Sequence, residues 1–238
     1  MSTSLDPSVQ LARQFWNLKP ITYPARPVNG GPLDKMARKV NTGWYYEPKF
    51  NGWRTLIHLP TGTLFNRKGG RVAWAEWEEA IQEARRVVSS PSIEWIDCEA
   101  IGRRLACKNK GVMPTNQGIQ GIHRGTLVIL DIPEVKGSDG LSYVERVKLM
   151  KSLDVPTLHF PVKGCESERE DRKLFLAPRL CGEQYAGRMW DRLQEYNKEA
   201  GFDYYEGFVA KHGESEYPIQ LESPSQCTSF WQKHRWEY

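Results

Sequence analysis

Apolar residues recur along this chain at both helical and strand spacing, in short alternating stretches. Asp6 followed by Pro7 reads as an N-cap with proline in the first turn. Val9, Ala12, Phe15 and Trp16 then recur at helical spacing, which predicts an N-terminal helix. A proline-rich extended stretch, Pro20 to Pro32, ends it, and a short helix is predicted over Leu33 to Val40. Strand-like runs follow at Trp44 to Lys49, Arg54 to Leu59 and Thr63 to Asn66. The last two are joined by Thr61-Gly62, the turn signal of a hairpin. Residues 75–88 carry Trp77, Ala80, Ile81, Ala84 and Val88 on one face of an amphipathic helix. Ile93 to Ile101 and Thr126 to Ile132 read as interior strands, Tyr143 to Leu153 and Glu183 to Ala200 as helices, and Tyr204 to Lys211 and Thr228 to Trp236 as strands again. The mixture is α+β, with strands that need not be parallel.

Composition adds boundaries to this pattern. The chain has 238 residues, enough for a sizeable core, and shows no internal repeat, low-complexity segment or dividing linker. A single domain over 1–238 is therefore expected, with 1–43 as a helical or extended basic segment. The nine tryptophans read as core or scaffold residues. Net charge is only +4, but residues 1–54 hold eight basic side chains against three acidic ones, so the basic bias lies at the start. Arg103, Arg104, Lys108 and Lys110 form a second cluster, and either group fits a solvated surface as well as a phosphate track. Five cysteines are widely spaced with no CxxC pair, which argues against a disulfide scaffold or structural zinc and for a reducing interior. No run of about twenty apolar residues and no apolar signal core occurs, so a cytoplasmic protein with no membrane association is expected.

The chemistry is concentrated around Glu47-Pro48-Lys49-Phe50-Asn51-Gly52-Trp53-Arg54, between two strand-like runs. A glycine there permits a tight backbone that leaves the lysine amine facing a cleft. A lysine attacks phosphorus only as the free amine, so desolvation, a neighbouring cation such as Arg54 or a bound metal must favour that form. The spacing alone is weak, since Lys108 to Gly111 is a second Lys-x-x-Gly. Order and company strengthen it. Downstream come Asn66-Arg67-Lys68-Gly69, Asp97-Cys98-Glu99, Thr126 to Asp131, Glu206-Gly207-Phe208-Val209-Ala210-Lys211 and Trp231-Gln232-Lys233-His234-Arg235. Each is short and weak; together and in this order the chain from about 44 to 236 resembles the covalent nucleotidyltransferase superfamily. That superfamily comprises ATP-dependent DNA ligases, RNA ligases and mRNA-capping guanylyltransferases. Lys49 to Arg54 is similar to the first motif, Lys-x-Asp-Gly-x-Arg, and Glu206 to Lys211 matches Glu-Gly-x-Val-x-Lys without a departure.

The resemblance implies a ligase-type nucleotidyltransferase (adenylation) domain, with antiparallel or mixed sheets flanked by helices. It also implies the following roles. Lys49 is the nucleophile that takes AMP from ATP and releases pyrophosphate. Glu206 and Glu99 hold Mg²⁺ (or Mn²⁺) through carboxylate oxygens, with Glu99 also near the ribose. Lys233 and Arg235 stabilise charge on the α-phosphate. Arg54 and Arg67 contact the ribose or the 5′-phosphate of the nucleic acid, Glu47 reads the adenine amino group, and Leu130 and Lys211 complete the nucleotide site. The implied partner is nucleic acid, a nicked duplex or a 5′-phosphorylated strand. Three departures accompany this. Asn51 replaces an aspartate, Leu130 stands where the family places an aromatic residue against the base, and the last motif falls at the end of the sequence, so the family's C-terminal OB-fold is not expected. A minimal ligase, a protein partner supplying the OB-fold function, or action on pre-adenylated ends are the corresponding alternatives. DNA is the expected substrate, as in DNA repair, ahead of RNA. A capping-type guanylyltransferase and a silent nucleic-acid-binding module are the other readings.

Overall fold

The computed structural model describes residues 18–20, 26–31, 43–72, 75–88, 90–102, 124–159, 172–181, 183–218 and 227–236. The helices predicted from Asp6 and over Leu33 to Val40, and the Arg103 to Lys110 cluster, lie outside the described residues. Eleven strands are described: β1 (Arg26–Asn29), β2 (Trp44–Phe50), β3 (Trp53–His58), β4 (Thr63–Asn66), β5 (Arg71–Val72), β6 (Trp95–Ile101), β7 (Thr126–Asp131), β8 (Leu174–Leu176), β9 (Leu180–Cys181), β10 (Tyr205–His212) and β11 (Cys227–Arg235). The helices are α1 (Glu78–Val87), led by a single 3₁₀ turn, α2 (Tyr143–Lys151) and α3 (Glu183–Ala200).

The strands form two mixed sheets. One has the order β1-β11-β10-β2-β9 and the other β5-β4-β3-β6-β7-β8. Only β1/β11 and β7/β8 pair in parallel. Every residue of β6 and β7 is buried, as in strands covered on both faces. One face of the six-stranded sheet packs Ile57, Ile96, Cys98, Leu127 and Ile129 against Ala80, Ile81 and Ala84 of α1 and Val147 and Met150 of α2. A second core joins Tyr46, Phe50 and Phe208 of the five-stranded sheet to Val128, Leu130 and Phe175 of the other, with Trp190, Leu193 and Tyr196 of α3 packed on them. Ser142-Tyr-Val-Glu145 starts α2 as a capping box, in which the Ser142 N–H donates to the Glu145 carboxylate at 2.8 Å and the Ser142 hydroxyl accepts from the Glu145 N–H. No described helix is long and apolar enough to cross a membrane.

Two β-bulges matter for function. In the β10/β2 ladder Tyr205 lies opposite Phe50 but Gly207 opposite Lys49, so Glu206 is the extra, unpaired residue. In β6/β7 Asp97 faces Asp131 but Cys98 faces Ile129, so Leu130 is extra. A bulge turns a side chain or carbonyl out of simple alternation. Strict alternation would set Glu206 on the face of Phe208 and Ala210, away from Lys49. The bulge brings it to the Lys49 side, and Gly207, at φ +132°, makes this possible. A Cβ at Gly207 would overlap the His234 carbonyl oxygen of the neighbouring β11 and lie 2.9 Å from the Arg235 Cα.

Candidate active site

All ten site residues named from the sequence line one open cleft of about 500 Å³: Glu47, Lys49, Arg54, Arg67, Glu99, Leu130, Glu206, Lys211, Lys233 and Arg235. They come from both sheets, β2, β10 and β11 on one side and β3, β6, β7 and the β4–β5 turn on the other. The cleft lining holds eight basic side chains against three carboxylates. Such an excess concentrates polyanions by long-range attraction.

At its centre Lys49, Gly207 and Arg235 stand side by side on β2, β10 and β11. The bulged Glu206 takes both cations. Its Oε2 pairs with the Lys49 Nζ and, at 2.8 Å, with Arg235. The Lys49 side chain is only 18% exposed, so the amine sits in the cleft and not in bulk water. Glu99 enters from β6, where Oε1 accepts the Gly52 N–H at 2.9 Å. Burial pushes its carboxyl up to about 7, against the pull of Lys49, Arg54 and that N–H, with Glu206 adding to the rise. Gly52 has no room for a side chain, since a Cβ would lie 2.8 Å from the Ala100 carbonyl oxygen.

Arg54 is fixed and not free to swing. Its Nε and Nη2 both donate to the buried Asp97 carboxylate, which also accepts the Tyr217 hydroxyl at 2.6 Å. The expected cation beside the amine therefore carries its own counter-charge, and the carboxylate of Glu206 is the group found on Lys49.

Beneath the cleft lies a buried network of opposite charges. The Lys211 Nζ reaches Glu47 Oε2 at 3.1 Å, Asp131 Oδ2 at 3.2 Å and, as a donor, the carbonyl of bulged Leu130 at 3.0 Å. It sits 4.4 Å from the centre of the Trp231 ring. Glu47 also accepts from Tyr143 and pairs with Arg179 at 2.9 Å. Asp131 pairs with Arg146 through both oxygens, at 2.7 and 3.2 Å. Burial by itself would raise the Asp131 carboxyl, but Arg146 and Lys211 outweigh it and hold that group well below the usual carboxylate range. Glu47 and Lys211 thus meet the cleft as members of a saturated, rigid set.

The departures acquire physical reasons. Asn51 is buried, and its side-chain amide donates to the Asp203 carbonyl at 2.9 Å, while its N–H donates to Tyr204. These bonds tie the segment after Lys49 to the segment that leads into Glu206. An aspartate has no hydrogen to give there. Leu130 is buried, and its carbonyl accepts both Lys211 and Arg179. Arg26, Trp53 and Lys68 also line the cleft and were not picked out from the sequence. Arg26 lies in the proline-rich stretch, where no motif or period marks it.

The donor set suits a hard divalent cation of the Mg²⁺ type, which takes one or two carboxylates and fills its other positions with water and phosphate oxygens. Glu206 and Glu99 supply two carboxylates close enough to affect each other. No group of three or more acidic, His or Cys ligands occurs among the described residues, so a cage made by protein alone is not formed there.

No protein-family model matches the chain, and no curated protein matches its sequence. Solved structures do. The ligase domain of LigD from M. tuberculosis aligns over 90% of this chain and 59% of its own length, with 18% identity and a TM-score of 0.51. A structure named Pmar-Lig_Pre aligns over 95% of this chain and 49% of its own, with 17% identity and a TM-score of 0.50. An archaeal ATP-dependent RNA ligase aligns over 89% of this chain and 60% of its own, with 16% identity and a TM-score of 0.49. The chain thus spans about half to three fifths of the length of each. At such identities the likeness is one of architecture, and it agrees with the two mixed sheets and the cleft between them. The chain has the fold of the ligase-type nucleotidyltransferase domain.

Proposed function

We propose that this chain is the adenylating centre of an ATP-dependent polynucleotide ligase that joins DNA ends. The observation that carries the reading is the grouping of Lys49, bulged Glu206 and Arg235 on three adjacent strands, inside a cleft whose lining is strongly basic. In the first step the Lys49 nitrogen forms a bond to the α-phosphorus of ATP. The bond from that phosphorus to the bridging oxygen breaks, and pyrophosphate leaves. An oxygen of a 5′-phosphate next attacks the same phosphorus and releases Lys49, which leaves AMP on the strand end. A 3′-hydroxyl then attacks the 5′-phosphorus, sealing the strand and expelling AMP.

Phosphoryl transfer depends on positioning and electrostatics more than on proton relay. Arg235 and Lys233, on β11 and lining the cleft, would stabilise the charge that develops on the α-phosphate. Arg54, locked by Asp97, offers its remaining face to the ribose or the 5′-phosphate, and Arg67 lies at the mouth for the strand. Pro48, Leu130 and Val209 give the cleft apolar wall for a base, and Glu47 is placed beside it. Glu206 and Glu99 would hold Mg²⁺ or Mn²⁺, which when bound supplies positive charge to the reacting phosphates.

Incubation of the full chain with labelled ATP or GTP, with and without Mg²⁺, tests the reading directly. A covalent AMP adduct is expected from ATP, lost on Lys49→Ala while the fold is kept. Labelling by GTP alone, or an adduct on the Lys49→Ala chain, would overturn it. Sealing of nicked DNA, nicked RNA and single strands, each with and without a pre-adenylated 5′ end, then decides the strand. Sealing of RNA in preference to DNA would overturn the DNA assignment.

A further inference from the structure

We infer that Trp53 is a stacking platform for the terminal base of the strand whose 5′-phosphate is brought to Lys49. This role rests on the ligase reading of the cleft. Trp53 and Phe230 are the exposed large hydrophobic residues among those described, at 51% and 58%. Only Trp53 lines the cleft. By contrast Trp77, Trp95, Trp190 and Trp231 are buried in the cores.

The indole stands on a rigid base. Trp53 opens β3 opposite Ala100. The preceding Gly52 donates to Glu99 at 2.9 Å, and the following Arg54 is locked to Asp97. The Trp53 side chain is half-exposed at the cleft on a fixed strand, a place from which an indole can stack on a base. Its company names the ligand. Arg67 and Lys68, both exposed, come to the same cleft from the β4–β5 turn. That turn is shaped by Asn66, whose side-chain oxygen accepts the Lys68 and Gly70 N–H groups at 2.8 and 3.2 Å. An aromatic side chain lining one cleft together with guanidinium and ammonium groups matches the pairing of base and phosphate in a nucleic-acid strand. It does not match an acidic peptide, which offers no planar face to an indole at each charge. Lys49 lines the same cleft, so a base stacked on Trp53 and the amine share one open space.

Fluorescence anisotropy of a labelled nicked duplex with a 5′-phosphate at the nick, titrated with the full chain, reads binding without any chemistry. Stacking on an aromatic contributes enough that Trp53→Ala and Trp53→Leu should each raise Kd about 10- to 100-fold. Trp53→Phe should stay within about 3-fold of the parent, because a phenyl ring still stacks, and Phe230→Ala should leave Kd unchanged. Urea midpoints of the variants check folding, and Trp53→Leu serves if the alanine variant is unstable. Wild-type-like binding by Trp53→Leu, equal weakness of Trp53→Phe and Trp53→Leu, or no binding by the parent would each overturn the inference. So would a higher KM for ATP in adduct formation with strand Kd unchanged, since the indole would then serve the nucleotide. Failure of the ligase reading shows separately, as absence of covalent AMP on the parent chain.

Discussion

Gly207→Ala perturbs the one backbone position on which the arrangement around Lys49 depends. At φ +132° an L residue is strained, typically by about 1–3 kcal/mol. The added methyl would also overlap the His234 carbonyl and press on the Arg235 Cα, both backbone atoms of β11 that no rotamer change can move. Relief requires β10 and β11 to part between Gly207↔Arg235 and Phe208↔His234, weakening ladder hydrogen bonds that contribute about 1 kcal/mol each. A total loss of about 3–5 kcal/mol follows, a large part of the roughly 5–15 kcal/mol available to a domain. Urea unfolding followed by circular dichroism should show the midpoint fall by about 2 M, taking a slope of about 2 kcal/mol per molar. Because the same shift moves Glu206 and Arg235 relative to Lys49, covalent AMP formation should drop by more than the loss of folded protein accounts for. A midpoint within about 0.3 M of the parent, together with normal adduct formation, would refute the claim that the bulge is sterically bound to glycine.

Three further outcomes follow from named contacts. Asn51→Asp sets a carboxylate against the Asp203 carbonyl where an amide now donates, and should lower stability by about 1–3 kcal/mol in denaturant titration; an unchanged midpoint would mean that the amide bond is not holding the two segments. Arg146→Met strips Asp131 of its two-point partner and should cost about 3–5 kcal/mol, read as a fall in Tm, with no change counting against the buried network. The carboxyl of Glu99 rises from 4.5 to about 7 on folding, so the native state holds more protons between those values and stability falls as pH rises through that window. At 1.36 kcal/mol per unit the cost at pH 8 approaches about 3 kcal/mol. Glu99→Gln, in metal-free buffer, should flatten that fall between pH 5 and 8; a slope equal to that of the parent would show that Glu99 is not its source.

Much of the fold was legible because its longer elements obey simple periods. The hairpin of β3 and β4 follows from alternation around Thr61-Gly62, and α3 occupies the predicted Glu183 to Ala200. β5, β8 and β9 have two or three residues each, too few for a period to register. β1 lies in a proline-rich stretch whose extension was read but whose parallel partner, β11, is some two hundred residues away. Pairing at that distance is set by tertiary packing, which local patterns do not encode. Within the site the sequence named the cleft residues but not what holds them. Asp97 and Asp131, inside otherwise apolar strands, were the available signals of a buried network, since a carboxylate in such a place must be paired. Their partners Arg54, Tyr217, Arg146 and Lys211 come from four separate stretches.

The bulges tie these two levels together. Glu206 belongs by alternation to the face that packs on α3, and only the extra residue in β10 turns it toward Lys49. Leu130 belongs to a fully buried strand, and only the extra residue in β7 leaves its carbonyl for Lys211 and Arg179. In both places a break in the period turns a polar group toward the cationic side chains around the cleft, and in β10 a glycine marks it. Arg54, Lys211 and Arg235 are each met by a carboxylate on a strand, so their charges are placed before any ligand arrives. On the proposed ligase reading, a phosphate entering the cleft meets oriented cations and need not organise them, which is the condition under which electrostatics lowers a barrier most.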